Sequence, residues 1–492
     1  MTVQPDPPSG SGGEAGGRKE LPVFRLFFFF LPETSLIRQF RFQLVVMSKL
    51  WSEVGQEAVF YGALVLVATD GNAVQASMIG AARVLPGATL GLVGGAIGDA
   101  LPRRVGLGVG YMVQAAICIL IPLMFGTEFV ALLLLVFGVN SLNQFLGPSE
   151  KAVIPLVTSR EQITSAASIL SLTDGIATGI GTAAMAPFFL VTFGAEALFY
   201  LCGALLILAA VRIFALPIRK HITVKDALSR LDLTELDVSF TSAFRWLMGW
   251  PAIVTIIMVG VVVTVLQTIL KTLGPSYVGE VLGEDPAKSV YIFAPAGLGA
   301  LVALVPAPWL NGKIGERMSA ALGVLLMSLS LFVMAFVEVV APVLGPISPT
   351  NIVRVVGFDP SNELMVASFI SIFTGFAVSL SAISVQTYIN KRVPMLQQGR
   401  VFGLQSVLAN AAAVIPLLLI GIFAELSSIE LILIIAPWIV LGGAYALLVL
   451  ATSMARGETP SGREVFDSFW EQPQSTSGSE SAIEEGLADL RT

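Results

Sequence analysis

Apolar stretches of about twenty residues, separated by short polar loops, recur along almost the whole chain. A helix rising ~1.5 Å per residue needs about twenty such residues to cross the hydrocarbon core of a bilayer. On that basis the first half carries six predicted spans, at about 42–69, 74–98, 105–125, 128–147, 163–192 and 194–215. The second half carries six more, at about 251–275, 289–310, 314–341, 364–389, 401–426 and 428–453. Inside the first span the pattern is broken in an ordered way. Lys49, Ser52, Glu53, Gln56 and Glu57 recur at i, i+3, i+4, i+7 and i+8 and therefore share one helical stripe. An ionised side chain at bilayer depth costs from about 3 to more than 10 kcal/mol. The stripe must face other helices or a watery cavity.

Composition agrees with a membrane solvent. Of 492 residues, 55% are hydrophobic and 13% charged, about half the charge of a soluble domain. Mean hydropathy is +0.83. The two cysteines, Cys118 and Cys202, lie within apolar spans and read as packing residues. His221 is the single histidine, so neither a zinc nor a haem ligand set can be assembled, and no cofactor is expected. No phosphate-binding glycine loop and no Ser/His/Asp arrangement is present, which argues against an ATP motor or a hydrolase on this chain. Nothing points to nucleic acid.

Five regions follow from these patterns: a polar tail at 1–36, a six-helix bundle at 37–215, an amphipathic linker at 216–250, a second six-helix bundle at 251–453, and an acidic tail at 454–492. Leu26–Leu31 is too short to span and reads as an interfacial patch. Lys and Arg collect on one side, at Arg103, Arg104, Lys151, the linker, Lys313, Arg317, Lys391 and Arg392. The opposite loops are mostly acidic, so both termini are expected in the cytoplasm, with the chain in the plasma (inner) membrane. The halves echo one another in their loops, as Lys151-Ala-Val-Ile-Pro155 and Lys391-Arg-Val-Pro394 show. Two pseudo-symmetric bundles with a site between them are the expected all-α integral membrane fold.

The segment Gly94-Gly-Ala-Ile-Gly-Asp99-Ala-Leu-Pro-Arg103-Arg104 resembles the loop 2–3 signature of the major facilitator superfamily, with Gly95, Asp99, Arg103 and Arg104 matching. Ala100 and Pro102 depart from it. Ser52-Glu-Val-Gly55, Ala81-Ala-Arg83-Val-Leu-Pro86-Gly87, Leu273–Gly283 and Arg392–Gly403 resemble the macrolide and drug-efflux branch, whose members are drug:proton antiporter-like. The resemblance covers about 37–453 and implies alternating access, gating by the loop 2–3 motif, and a small-molecule substrate exchanged for a proton or another coupling ion by a monomer in the lipid bilayer.

Glu53 and Glu57 are the candidate proton-coupling groups, with Arg83 as a potential partner. Counting residues from each span midpoint puts Glu57 and Arg83 at similar depth, so a permanent pair would leave Glu53 the freer acid. The structural alternative is a static polar network. Lys49 either joins the stripe or snorkels to the interface. Asp174 lies nearer the cytoplasmic end and suits a gating hydrogen bond. Gln56, Gln114, Asn143, Gln267 and Gln386 are candidate cavity residues, each equally readable as interhelical glue. Lys271 and Glu338 read as interfacial, and aromatics look sparse inside the bundles. The favoured function is proton-coupled export of a small amphipathic or cationic compound. An importer or facilitator of another solute or lipid, and a non-transporting receptor or assembly factor, remain alternatives.

Overall fold

The computed structural model describes residues 36, 39–70, 72–100, 103–158, 162–216, 250–345, 348, 361–393 and 395–456. The patch at 26–31, the linker at 217–249 and the acidic tail from 457 lie outside the described residues. Among the described residues all regular structure is helical, in twelve consecutive rods. In the first half these are α1 (Phe40–Asp70), α2 (Ala73–Ala100), α3 (Arg103–Phe125), α4 (Phe129–Val157), α5 and α6 (Ala195–Phe214). α5 comprises Ile163–Gly179, a π-helical Ile180–Met185, and Ala186–Phe193. In the second half, α7 is Pro251–Ser276 with a π-helical end at Tyr277–Val281, and α8 runs through Val290–Ala303 and Pro306–Ile314. α9 is Glu316–Ala335 and Val337–Leu344, followed by α10 (Asn362–Arg392), α11 (Met395–Leu426) and α12 (Ile429–Arg456).

Nine helices among the described residues are long and apolar enough to cross a membrane. α1, with its charged stripe, is not one of them. Local chemistry sets several ends. Ser361 caps α10 by accepting from the Leu364 N–H at 3.3 Å, and Asp285 accepts from the Ala287 N–H at 2.8 Å before α8. Between α7 and α8, Glu284 accepts from Lys288 at 2.5 Å and from the Ser361 N–H at 3.2 Å, tying that loop to the start of α10. The Lys288 ammonium holds the Glu284 carboxyl below its ordinary range. One predicted boundary needs correction. α4 continues ten residues past the expected end at 147 and carries Glu150 inside the helix.

The buried apolar residues divide by half. One cluster joins Phe42, Leu64, Tyr111, Leu135 and Phe199 from α1, α3, α4 and α6. Two others draw almost wholly on α7–α12. A small fourth cluster lies on the seam, where Val84 of α2 meets Ile269 and Leu273 of α7 and Ala413 and Leu417 of α11. The outward face is greasy instead of polar, with Val305, Trp309, Leu123 and Trp438 exposed, as expected for a surface in contact with lipid.

The seam is closed toward the end that carries the 70–73 turn. α2 packs along α11, α1 and α2 touch α7, and the π-helical part of α5 touches α8. Tyr61 of α1 donates to Ser289 at the start of α8, which itself donates to the Pro286 carbonyl at 2.5 Å. The Tyr61 ring meets Phe293 edge-on, with centroids 5.6 Å apart. Gly80 of α2 permits this approach, because a Cβ there would sit 2.6 Å from the Thr272 side chain of α7. Gly80→Val should therefore wedge α2 from α7. With Ser276→Cys as reporter, buried one turn beyond Thr272, the variant is expected to react with maleimide several times faster than its glycine parent, and equal rates would show that this contact does not hold the seam shut.

Candidate functional site

The stripe on α1 resolves into two ion clusters one turn apart. In the first, Lys49 Nζ lies 2.8 Å from Asp174 Oδ1 of α5, 3.0 Å from Glu150 Oε2 of α4 and 3.5 Å from Glu53 Oε1 on its own helix. Tyr111 of α3 donates to the other oxygen of Glu150 at 2.6 Å. One ammonium thus answers three carboxylates. In the second cluster, Glu57 is bound by both terminal nitrogens of Arg83, Nη1 at 3.3 Å. Lys271 of α7 stands 3.6 Å from the same carboxylate, across the seam. The Arg83 guanidinium also lies 4.2 Å from the centre of the Phe60 ring, a second contact with α1. Opposite charges 4 Å apart attract by about 4 kcal/mol at an effective dielectric near 20, so groups this buried hold their partners tightly.

The backbone that presents these groups is shaped for it. α5 changes to π-helix at Ile180–Met185, above Asp174, and Gly181 there lies against α1: a Cβ would be 2.8 Å from the Val54 carbonyl oxygen and 3.1 Å from Glu57 Cβ. Ser48 donates to the Ala209 carbonyl of α6 at 2.9 Å and so ties α1 to α6.

Between the clusters three amides close a ring. Gln56 donates to Gln114 at 3.4 Å, Gln114 to Asn143 at 2.7 Å, and Asn143 back to Gln56 at 2.5 Å. The second Gln114 N–H goes to the Val139 carbonyl at 3.0 Å, and Gln114 is fully buried. Each amide gives and takes one bond in the ring, which fixes the orientation of all three. Gln56, Asn143, Glu53, Glu57, Arg83 and Glu150 together line a cavity of about 140 Å³. That is room for a few waters or a small cationic group, below the ~300–1,000 Å³ of drug-sized pockets. A wider cavity of about 500 Å³ lies at the end that carries the 70–73 turn, lined by Asn72, Glu280, Glu425 and Glu430.

The sequence-derived candidates therefore scatter. Lys49, Glu53, Gln56, Glu57, Arg83, Gln114, Asn143 and Asp174 come together, and Lys49 turns into a carboxylate cage instead of snorkelling. Gln267 and Gln386 are exposed and stand apart from the cavity wall. Of the loop 2–3 motif, Gly95 and Asp99 fall on the last turns of α2, but the side chains of Asp99 and Arg103 lie outside the described residues. Arg104 donates to the Phe214 carbonyl at the end of α6, a bond within the first half and not across the seam. Lys271 corrects the expectation of an interfacial lysine: it is largely covered and faces Glu57. Glu150 and Tyr111 were missed, as were the large buried rings of Tyr61 and Tyr388. The aromatic interior is richer than the span-end pattern of Phe and Trp implied.

Twelve helical rods in two halves, with buried ions and a polar cavity in the first half and Lys271 reaching that set across the seam, have the architecture of a polytopic transporter of the two-bundle type. The Major Facilitator Superfamily model matches residues 52–358, more than half of the chain. The chain belongs to that superfamily. No curated protein matches it in sequence. Among solved structures, a mutant of the nucleoside transporter NupG aligns with a TM-score of 0.61 at 14% identity, over 84% of this chain and 99% of its own. A bacterial homologue of the human lysosomal transporter Spinster, in an inward-facing and unoccupied conformation, aligns at 0.60 with 15% identity, over 86% and 99%. The likeness at this identity is one of fold.

Glu57→Gln would strand Arg83 and Lys271 without a counter-charge in a covered site. Breaking a buried pair from one side costs about 3–5 kcal/mol. The variant should melt well below wild type in detergent, and the double substitution Glu57→Gln, Arg83→Gln should recover part of the loss. Additive losses would show that the pair is not coupled.

Proposed function

We propose that this protein is a secondary active transporter that works by alternating access and couples a proton to export of a small cationic or amphipathic compound across the plasma (inner) membrane, as the drug:proton antiporter-like branch does. The observation that carries the reading is the Lys49 cage. Three carboxylates around one ammonium leave two negative charges in excess when all are ionised. At low dielectric such a set favours taking up a proton, as carboxylates that share a site do. Glu53 is the member best placed to carry it. Its carboxyl lines the cavity, and its partner Lys49, 3.5 Å away, is shared with two closer acids. Glu57, clamped by Arg83, keeps its charge and serves as structure.

Cation selectivity has a second support. The 500 Å³ cavity is edged by Glu280, Glu425 and Glu430, and an acid-lined mouth raises the local concentration of cations. The 140 Å³ cavity admits the charged head of such a compound, and the ring amides of Gln56 and Asn143 each retain one N–H for an acceptor on it. In this scheme residues 37–215 rock against 251–453, both termini stay cytoplasmic, and the loop 2–3 motif gates the cytoplasmic side. The same amide ring also suits a neutral hydroxylated solute, which supports a facilitator or importer as the second reading.

The two readings separate in proteoliposomes. With radiolabelled tetramethylammonium as probe, flux driven by an imposed pH gradient is expected to fall at least about tenfold in Glu53→Gln, the loss expected when a group that carries the proton is removed. Flux that ignores the pH gradient in the unmodified protein would remove proton coupling, and undiminished flux in Glu53→Gln would remove Glu53.

A further inference from the structure

Lys271 belongs to the half of the protein opposite the one that supplies the rest of the ion set. Facing the cavity and its flanks are, from α1, Lys49, Glu53 and Glu57; from α2, Arg83; from α3, Tyr111; from α4, Glu150; from α5, Asp174; and from α7, Lys271. With Lys271 seated, the described groups present four carboxylates against three cations, so one negative charge is in excess. Without it, two are. Every other cation of the set is fixed to the first half by a partner in that half: Lys49 by its cage, Arg83 by Glu57 and Phe60. Lys271 alone among the described cations of this set reaches its carboxylate across the seam. Its setting is the contact zone between halves, flanked by Thr272 against Gly80 and by Ile269 and Leu273 in the seam cluster. Relative movement of the halves at this point must change the Lys271–Glu57 distance, while Arg83 stays with Glu57.

We propose that Lys271 is a tethered cation that competes with the transported charge. When this end of the seam closes, the ammonium arrives beside Glu57 and raises the positive potential one turn from Glu53. One proton is then expelled from Glu53, the carboxyl that lines the cavity. A proton so displaced passes from a carboxyl O–H to cavity water and leaves by the open side, and the carboxylate that remains completes the charge balance with Lys271. When the end opens, Lys271 withdraws with α7 and the set regains its capacity for that charge. The lysine is a positioning residue acting through the field at Glu53, and it gives each access state a different charge capacity. This inference rests on the proton-coupled reading of the same site.

Dicyclohexylcarbodiimide adds to carboxyls that carry a proton, so it reads the site without a substrate. Purified full-length protein is treated at acidic, neutral and alkaline pH, and adducts are located by mass spectrometry. In unmodified protein, labelling of Glu53 is expected to rise as pH falls. Lys271→Gln should raise that labelling at least about threefold at neutral pH, because removing a nearby cation favours the protonated acid. Lys271→Arg, which keeps the charge, should label as the parent does. Glu57 should stay unlabelled throughout, since Arg83 still holds it, and this distinguishes an electrostatic effect from a loosened fold. Equal labelling in Lys271→Gln and parent, or a gain shared by Lys271→Arg, would overturn the role of Lys271 and leave proton coupling standing. Absence of labelling on Glu53 at every pH in the unmodified protein would instead overturn proton coupling at this site.

Discussion

Ionised groups cannot remain in hydrocarbon without partners, and the packing around α1 follows from that constraint. Lys49 needs an anion, and α4 and α5 come close enough to offer Glu150 and Asp174 within about 3 Å. Glu57 needs a cation, and α2 and α7 each bring one. Four helices besides α1 are thereby oriented by a handful of contacts, with apolar packing filling the space between. The desolvation penalty for each ion is several kcal/mol, so no alternative rotation of α1 that points the stripe at lipid is tenable. The same penalty explains why the ions are gathered on one cavity: water there, and the neighbouring amides, reduce what each charge loses.

A set of buried ions that is fully matched would be inert. This one is unequal in a particular way. The Lys49 cage has too few cations, the Glu57 cluster has too many, and they are separated by a single turn of helix. Charge therefore leans from one to the other. The seam-crossing member is on the cation-rich side, so whatever the halves do to each other alters the balance at the acid-rich side. Geometry and electrostatics are coupled through one residue, and no long chain of contacts is required.

Much of this was legible in the sequence, for reasons that can be named. The polar stripe is a periodicity, and periodicity survives without coordinates, so α1's inward face was plain from Lys49 to Glu57. The Glu57–Arg83 pair could be anticipated because depth along neighbouring helices follows from the rise per residue. Glu150 was lost to Gly147-Pro148-Ser149, which reads as a turn in water. Inside a membrane protein a helix passes through proline where neighbouring groups re-satisfy the backbone, and α4 does so. Lys271 was lost for a different reason. Its position near the end of an apolar span is what an interfacial lysine also looks like, and only the crossing of α7 over α1 and α2, a long-range fact, tells the two apart. The buried tyrosines share that fate: Tyr111 sits in α3 without local distinction, and its hydroxyl matters because Glu150 is opposite.

The size of the cavity bears on what kind of cargo the mechanism tolerates. At about 140 Å³ the space encloses a charge and its immediate hydrogen bonds, and little else. A larger amphipathic body would have to extend beyond this space. In the proposed scheme the carboxylates of Glu53 and Glu150 on the cavity wall would take the positive head, and the remainder of the cargo would lie outside it. The ring around Gln114 is rigid, because rotating any one amide breaks bonds at both of its neighbours. In that scheme the rigid ring fixes the geometry around the charge, and the charge is what has to be counted when the halves exchange position.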